Sequence, residues 1–196
     1  MLTQAAYDAA VDRRELSNAL ARYAAEGPGE TASLERLRRF VSAPADPFAR
    51  GNPEGHVTGS AVVARPDGSA FLLVLHRKLS RWLQPGGHTE ESDPTIFDAA
   101  LREAREETGI ARFEAPLGPA ILDVDVHPIP ARGRDAAHHH FDVRFLLTSR
   151  SEADPDASDD PTRPIRWASF EEAVSLGIDA SLERALTKAR RALGAE

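Results

Sequence analysis

The stretch PGGHTEESDPTIFDAALREAREETGI, residues 85–110, decides how the rest of the chain is read. It predicts a helix over 94–108, with Asp93 suited to the N-cap, Pro94 to the first helical position and Gly109 to the residue past the end. At about 100° per residue, Ile96, Phe97, Ala100, Leu101, Ala104 and Thr108 share the face that a core would cover. Glu103, Glu106 and Glu107 form a stripe about 100° wide beside it, with Glu107 at the border. This stripe sets like charges three and four residues apart, at a cost of roughly 0.2–0.5 kcal/mol per pair. Glu106 and Glu107 also stand in the last turn, where the helix dipole disfavours an anion by about 0.3–1 kcal/mol. Arg102 and Arg105 lie mostly on the far side and do not fully neutralise the stripe. A local rule broken repeatedly in one place marks a site. A divalent cation resolves the conflict, and carboxylates without His or Cys favour a hard ion, Mg²⁺ or Mn²⁺. A solvated acidic face is the plainer alternative.

Upstream, residues 57–64 and 69–76 are β-rich and flank Pro66-Asp67-Gly68, which predicts a hairpin. Downstream, 121–129 alternates Leu122, Val124 and Val126 against Asp123, Asp125 and His127. Residues 138–147 set His139, Phe141, Val143, Phe145 and Leu147 opposite His138, His140, Asp142 and Arg144. An acidic loop over 151–161 follows, then a short strand near 164–169 and one or two closing helices over 169–193. Strands mixed with helices, without strict βαβ alternation, indicate an α/β sandwich around a mixed sheet.

The N-terminal part differs in character. An alanine-rich helix is expected from Thr3 to about Glu26, broken by Gly27-Pro28-Gly29-Glu30. Thr31 is placed to cap a second helix running to about Ser42, and a Pro- and Gly-rich connection covers 43–55. The expected organisation is a helical appendage and linker over 1–54 and a main domain over 55–196.

Asp and Glu number 31 against 24 Lys and Arg, a formal charge of −7, which disfavours polymeric nucleic acid as a partner. The absence of cysteine excludes thiolate metal sites and cysteine nucleophiles. The N-terminus lacks the order of a signal peptide, and the most apolar run, Ala70 to Leu75, is too short to span a bilayer. A soluble cytoplasmic protein with no membrane partner is expected.

Gly87 and the run Arg102-Glu103-Ala104-Arg105-Glu106-Glu107-Thr108-Gly109-Ile110 resemble the signature of the Nudix hydrolase family. In that signature a Gly and an acid precede R-E-apolar-x-E-E-x-G-apolar on a loop–helix–loop. Here Asp93 stands where the family usually has Glu, one extra residue separates it from Arg102, and Ala104 is small for the apolar slot. Asp93 is therefore open to two readings, a helix cap or a functional acid. The resemblance implies a Nudix-type α/β/α sandwich. It also implies Mg²⁺ or Mn²⁺ held by Glu103, Glu106 and Glu107 with the Gly86 carbonyl, and Arg102 orienting the glutamates. The implied reaction is hydrolysis of a pyrophosphate bond in a nucleoside diphosphate linked to another moiety. Metal ions would polarise phosphate oxygens and lower the pKa of the attacking water. The general base is open among Glu106, Glu107 and the loop acids Glu152, Asp154, Asp156, Asp159 and Asp160.

Candidate substrate contacts are His88, Arg77, Lys78, Arg144, His138 and His140, with Asp142 on the same strand face as the last three; each has an ordinary surface role as its alternative. Trp82 is open to base stacking but is better explained by packing. Three consecutive histidines on one strand cannot all reach one ion, which argues against zinc. Family members acting on dinucleoside polyphosphates tend to carry a Tyr after the motif, and this chain has only Tyr7 and Tyr23, both upstream. ADP-ribose-active members tend to carry a Pro in the same region, and Pro128 lies there a few residues late, which leaves ADP-ribose-like nucleotide sugars and oxidised nucleoside triphosphates both open with a slight lean to the former. The isomerase branch acting on isopentenyl diphosphate is disfavoured by the lack of cysteine. A catalytically silent nucleotide sensor is the alternative, with the appendage as a packed lid or as the arm of a homodimer.

Overall fold

In the computed structural model, residues 11–77, 79–133, 136–153, 158–160 and 162–195 are described. The hairpin forms where the Pro-Asp-Gly turn places it. Strand β1 (Gly55–Ala64) and strand β2 (Phe71–His76) run antiparallel, with Ala64 opposite Phe71. Two further short strands follow, β3 (Arg81–Leu83) on β2 and β4 (Gly86–His88) on β1. Strand β5 (Ile121–Ile129) pairs antiparallel with β6 (His138–Thr148), and β6 pairs parallel with β1 from Gly55↔His139 to Ala64↔Thr148. Strand β7 (Ile165–Ala168) joins β2, completing a mixed sheet of seven strands.

The alternation read in the sequence sorts the two faces of β6, but in β5 a register shift between Ile121 and Asp123 puts Leu122 on the face opposite Val124 and Val126. Phe141, Val143 and Phe145 of β6 join Leu16 and Leu20 of α1 (Arg13–Arg22), Leu34, Leu37, Phe40 and Val41 of α2 (Gly27–Ser42), and Ile96, Ala99 and Ala100 of α3 (Ile96–Thr108) in one core. Phe40 stacks on Phe141 with ring centroids 3.9 Å apart. On the opposite face, Leu73, Leu122 and Leu146 pack against Ala173 of α4 (Phe170–Ser175) and Leu182, Leu186 and Ala189 of α5 (Ala180–Ala192). Helices on both sides of a mixed sheet give the α/β/α sandwich. None of the described helices is long and apolar enough to cross a membrane.

Helix boundaries depart from expectation in three places. The first described helix ends at Arg22, before Glu26. Gly27-Pro28-Gly29-Glu30 does not interrupt a helix but forms the opening turn of α2, where Pro28 loses nothing because the first turn has no intrahelical N–H partners. Thr31 is accordingly not a cap; its hydroxyl donates to the Gly27 carbonyl at 2.8 Å. The third departure bears on the site. Thr95 is the N-cap of α3, its hydroxyl accepting from the Asp98 N–H at 3.1 Å, which leaves Asp93 for another task. Gly109 ends α3 in the left-handed region, φ 68°, as expected.

The N-terminal helices are tied to the rest by a buried ionic network. Glu30 is fully buried, and Lys188 of α5 donates to both its oxygens at 2.6 Å. The Tyr23 hydroxyl donates to Glu30, and its oxygen lies 2.9 Å from the Leu122 carbonyl. Asp123, equally buried, receives Arg184 at 2.7 and 2.9 Å and Arg144 at 3.2 Å. Burial opposes charge on Glu30, yet its hydrogen bonds from Lys188, Tyr23 and the Glu26 N–H hold the carboxylate below its usual range.

Candidate active site

Helix α3 lies close on β1 because Gly59 has no side chain; a Cβ there would stand 2.7 Å from the Ile96 carbonyl oxygen. The approach brings the last two turns of α3 against the short strand β4. The Gly86 N–H donates to Glu107 Oε2 at 3.1 Å. The Glu103 carboxylate occupies the space beside Gly87, where a Cβ would be 2.4 Å from Oε1. Both glycines are required here by close approach.

Arg102 organises the cluster. Its Nε and Nη2 donate to Asp93 at 3.1 and 3.0 Å, its Nη1 to Glu106 at 2.8 Å and Glu103 at 3.2 Å, and its Nη2 to the His88 carbonyl at 2.8 Å. Asp93 is 3% exposed and also accepts from the Glu90 N–H at 2.8 Å. Of its two readings, the structure places it on Arg102 and gives the cap to Thr95.

Glu103, Glu106 and Glu107 line a cleft of about 140 Å³ with Asp159, Asp160 and Arg163. Burial, with repulsion from Glu107 and Glu106 against the attraction of Arg102, pushes Glu103 up to about 7. Burial also raises Glu107, although Arg163 pairs with it and the Gly86 N–H donates to it. Carboxylates that resist ionisation while crowded together form a site short of positive charge. The donor set is all oxygen, and Gly87 leaves the Glu103 carboxylate room beside the strand. Those features fit a hard divalent cation.

The loop acids divide. Asp159 and Asp160 line the cleft, with the Asp159 N–H donating to the Glu106 carbonyl at 2.8 Å, whereas Glu152 pairs with Arg65. Asp154 and Asp156 lie outside the described residues, as do Lys78 and Tyr7. Arg77 is exposed and donates to the Thr162 carbonyl. Trp82 is half-buried and packs against the core shared with α4 and α5. Arg163 had no signal in the sequence, because only the folded loop brings it against Glu107.

Arg144 is 3% exposed and committed to carboxylates: Asp142 at 3.0 Å and Asp123 at 3.2 Å, with Ser181 Oγ at 2.6 Å. Asp142 in turn accepts from Thr58, Ser60 and Gln84 at 2.9, 2.7 and 3.2 Å. The two residues lie inside the sheet's polar seam, away from the residues that line the cleft.

His88, His138 and His140 are brought together, and the sheet adds two histidines that sequence reasoning had not grouped with them. In register, His56 of β1 and His127 of β5 both stand opposite His140. Ring centroids of His56 are 4.6 Å from His88, 5.0 Å from His138 and 4.8 Å from His140. Consecutive histidines on one strand do not converge, but one ring nitrogen from each of His56, His138 and His140, drawn from two strands, lies within 4.8 Å of the other two. Burial, aided by the mutual repulsion of the histidines, holds His56 and His88 at about 4 and His140 at about 2, so these rings are neutral at pH 7.

The chain matches the NUDIX domain family over residues 55–189, well over half its length. No curated protein matches it. Similar solved structures include a possible asymmetric diadenosine tetraphosphate (Ap4A) hydrolase from Jonesia denitrificans, 18% identical, with a TM-score of 0.52 over 70% of this chain and 94% of that one. Another is a MutT NUDIX hydrolase from Burkholderia pseudomallei, 22% identical, with a TM-score of 0.49 over 67% of this chain and 95% of that one. The first of these is a likeness of fold. With a family match over 55–189 and a glutamate helix seated on a glycine strand, the chain belongs to the Nudix hydrolase family.

Proposed function

We propose that the protein hydrolyses a pyrophosphate bond in a nucleoside diphosphate derivative, with Mg²⁺ or Mn²⁺ as cofactor. The substrate class is ADP-ribose-like nucleotide sugars or oxidised nucleoside triphosphates, with the lean towards the former resting on the sequence. The observation that carries the reading is the seating of Glu103 and Glu107 against Gly87 and Gly86, with Arg102 clamping Glu103 and Glu106 from one side.

Glu103, Glu106 and Glu107 would hold the ion, with the Gly86 carbonyl beside them. When bound, it supplies positive charge against phosphate oxygens and lowers the pKa of water. The protein's own residues supply the rest. Arg102 fixes the glutamate rotamers, and Asp93 fixes Arg102. Glu106 has the most exposed side chain of the three, 34% against 16% and 17%, and faces the cleft. That exposure suits it to accept a proton from the attacking water. Arg163 provides a guanidinium at the same cleft, suited to phosphate oxygens by its planar fork.

The test is a phosphate-release screen of the full chain against a panel of nucleoside diphosphate derivatives, with Mg²⁺ or Mn²⁺ added. Metal-dependent turnover of at least one member is expected. Tight binding of a nucleotide without turnover of any member would replace this reading with that of a nucleotide sensor.

A further inference from the structure

Five of the chain's seven histidines meet on one face of the sheet, and the Nudix chemistry above does not need them as a group. Their location is separate from the glutamates. Strand β4 divides the two: Gly87 backs onto Glu103, while the His88 ring turns to His56 and His140. Gly86, one step before Gly87, faces Ser60 on the histidine side.

His56 shows that the cluster is more than stacked rings. It is 3% exposed, and neither Nδ1 nor Nε2 has a hydrogen-bond partner among the described residues. An imidazole always carries at least one N–H, so a ring buried in this way leaves a donor and an acceptor unsatisfied, an arrangement costing about 1–3 kcal/mol per group. The usual explanation for such an orphan is an ion or a bound water. His138 is already prepared as a ligand. Its Nδ1 lies 2.9 Å from the Ala136 carbonyl, which places the proton on Nδ1 and leaves the Nε2 lone pair available. His127 carries the same kind of outer support, its Nδ1 2.9 Å from Asp125. The Arg50 charge reaches the cluster and opposes a cation, so binding depends on direct imidazole bonds more than on the local field.

We propose that His56, His138 and His140 form a binding site for a borderline transition-metal dication of the Zn²⁺ class, independent of the glutamate site. Neutral imidazole is the preferred ligand of such ions, whereas Mg²⁺ avoids it. Three nitrogens bound at about 2.1 Å in tetrahedral geometry stand on the order of 3.3 Å apart. The observed limit of 4.8 Å closes to that by small rotations of His138 and His140, both only half-buried. The fourth position is left to water. An ion held here would staple the start of β1 to the start of β6, the one parallel pairing among these strands.

The test uses the full chain in excess Mg²⁺, which occupies oxygen sites and leaves imidazole sites open. Zn²⁺ is titrated by calorimetry, and Co²⁺ is added as a visible-absorption probe. One equivalent of Zn²⁺ is expected to bind despite the Mg²⁺, and Co²⁺ to give the d–d bands of nitrogen ligation. His138→Ala and His140→Ala should each weaken Zn²⁺ binding by about tenfold or more. A Glu106→Gln, Glu107→Gln double variant should bind it unchanged. His56→Gln should abolish binding, and because this ring is buried its near-UV circular dichroism is compared with wild type. If that variant misfolds, the two half-buried positions decide the matter. The proposal is overturned if Zn²⁺ does not bind in excess Mg²⁺, if binding survives both histidine variants unchanged, or if it is lost with the glutamates instead.

Discussion

Asp93 grips Arg102 through both carboxylate oxygens, Nε to Oδ1 at 3.1 Å and Nη2 to Oδ2 at 3.0 Å, from within the protein interior. Thr95 caps α3, which leaves Asp93 facing the guanidinium despite the extra residue before Arg102. A two-pronged pair fixes the plane of the arginine and so the directions in which its remaining N–H groups reach Glu103 and Glu106. Asp93→Asn keeps the shape and loses the charge-assisted fork. The expected result is a fall in kcat of about 10–100-fold with KM for the nucleotide nearly constant, measured by steady-state kinetics.

Glu106→Gln and Glu107→Gln should each reduce metal-dependent hydrolysis by about 100-fold or more, with far-UV circular dichroism unchanged. Full activity in both variants would refute the assignment of the metal to this helix.

Gly87→Ala puts a methyl group 2.4 Å from Glu103 Oε1 and displaces that carboxylate. The Mg²⁺ concentration for half-maximal activity should rise about tenfold or more while thermal stability changes little. Gly29→Ala, where a Cβ meets nothing within 4 Å, serves as the control and should leave the metal requirement unaltered.

Glu30→Gln removes the charge that Lys188 satisfies inside the protein, and urea unfolding at neutral pH should show a loss of about 3–5 kcal/mol. The pH dependence follows from the direction of the shift. Glu30 in the folded state titrates below its ordinary value, so its stabilisation is complete above that ordinary value and fades as pH falls through the folded one. Between pH 5 and pH 3 the wild type should therefore lose stability more steeply than the variant.

Glu103 behaves in the opposite sense. Folding raises it from an ordinary value of 4.5 to about 7, so the metal-free native state binds more protons than the unfolded chain in that interval. Stability of the metal-free protein should then fall as pH rises from about 4.5 to 7. Saturating Mg²⁺ should flatten that slope, because the cation replaces the proton. Thermal melts across this range, with Mg²⁺ and with chelator, provide the comparison.

Much of the candidate site was legible because its signals are local. A helix puts residues three and four apart on one side, so the clash among Glu103, Glu106 and Glu107 could be read before any fold was known. Alternation along 138–147 likewise sorted the β6 faces, since successive side chains of a strand point opposite ways; along 121–129 it failed at Leu122, because a register shift between Ile121 and Asp123 turns Leu122 to the face opposite Val124 and Val126. The boundary errors at Thr31 and Asp93 arose because several residues near each helix start can serve as the cap, and the choice depends on what else each can contact. Glu30 did carry a signal, standing four residues before Leu34 on the stripe that continues through Leu37 and Val41. Its partner Lys188, 158 residues away, carried none that linked it to Glu30.

By itself, then, the sequence determined the family, the glutamate helix and the longer strands, because these rest on spacings of a few residues, whereas the three-residue strands β3 and β4 are too short to show a period. The tertiary structure alone decided the partners. It sent Arg144 into the interior carboxylates, brought Arg163 to Glu107, and set His56 and His127 on either side of His140. Such meetings depend on which strands pair and in what register, and a parallel pairing such as β1 with β6 is a contact across more than eighty residues that no local period encodes.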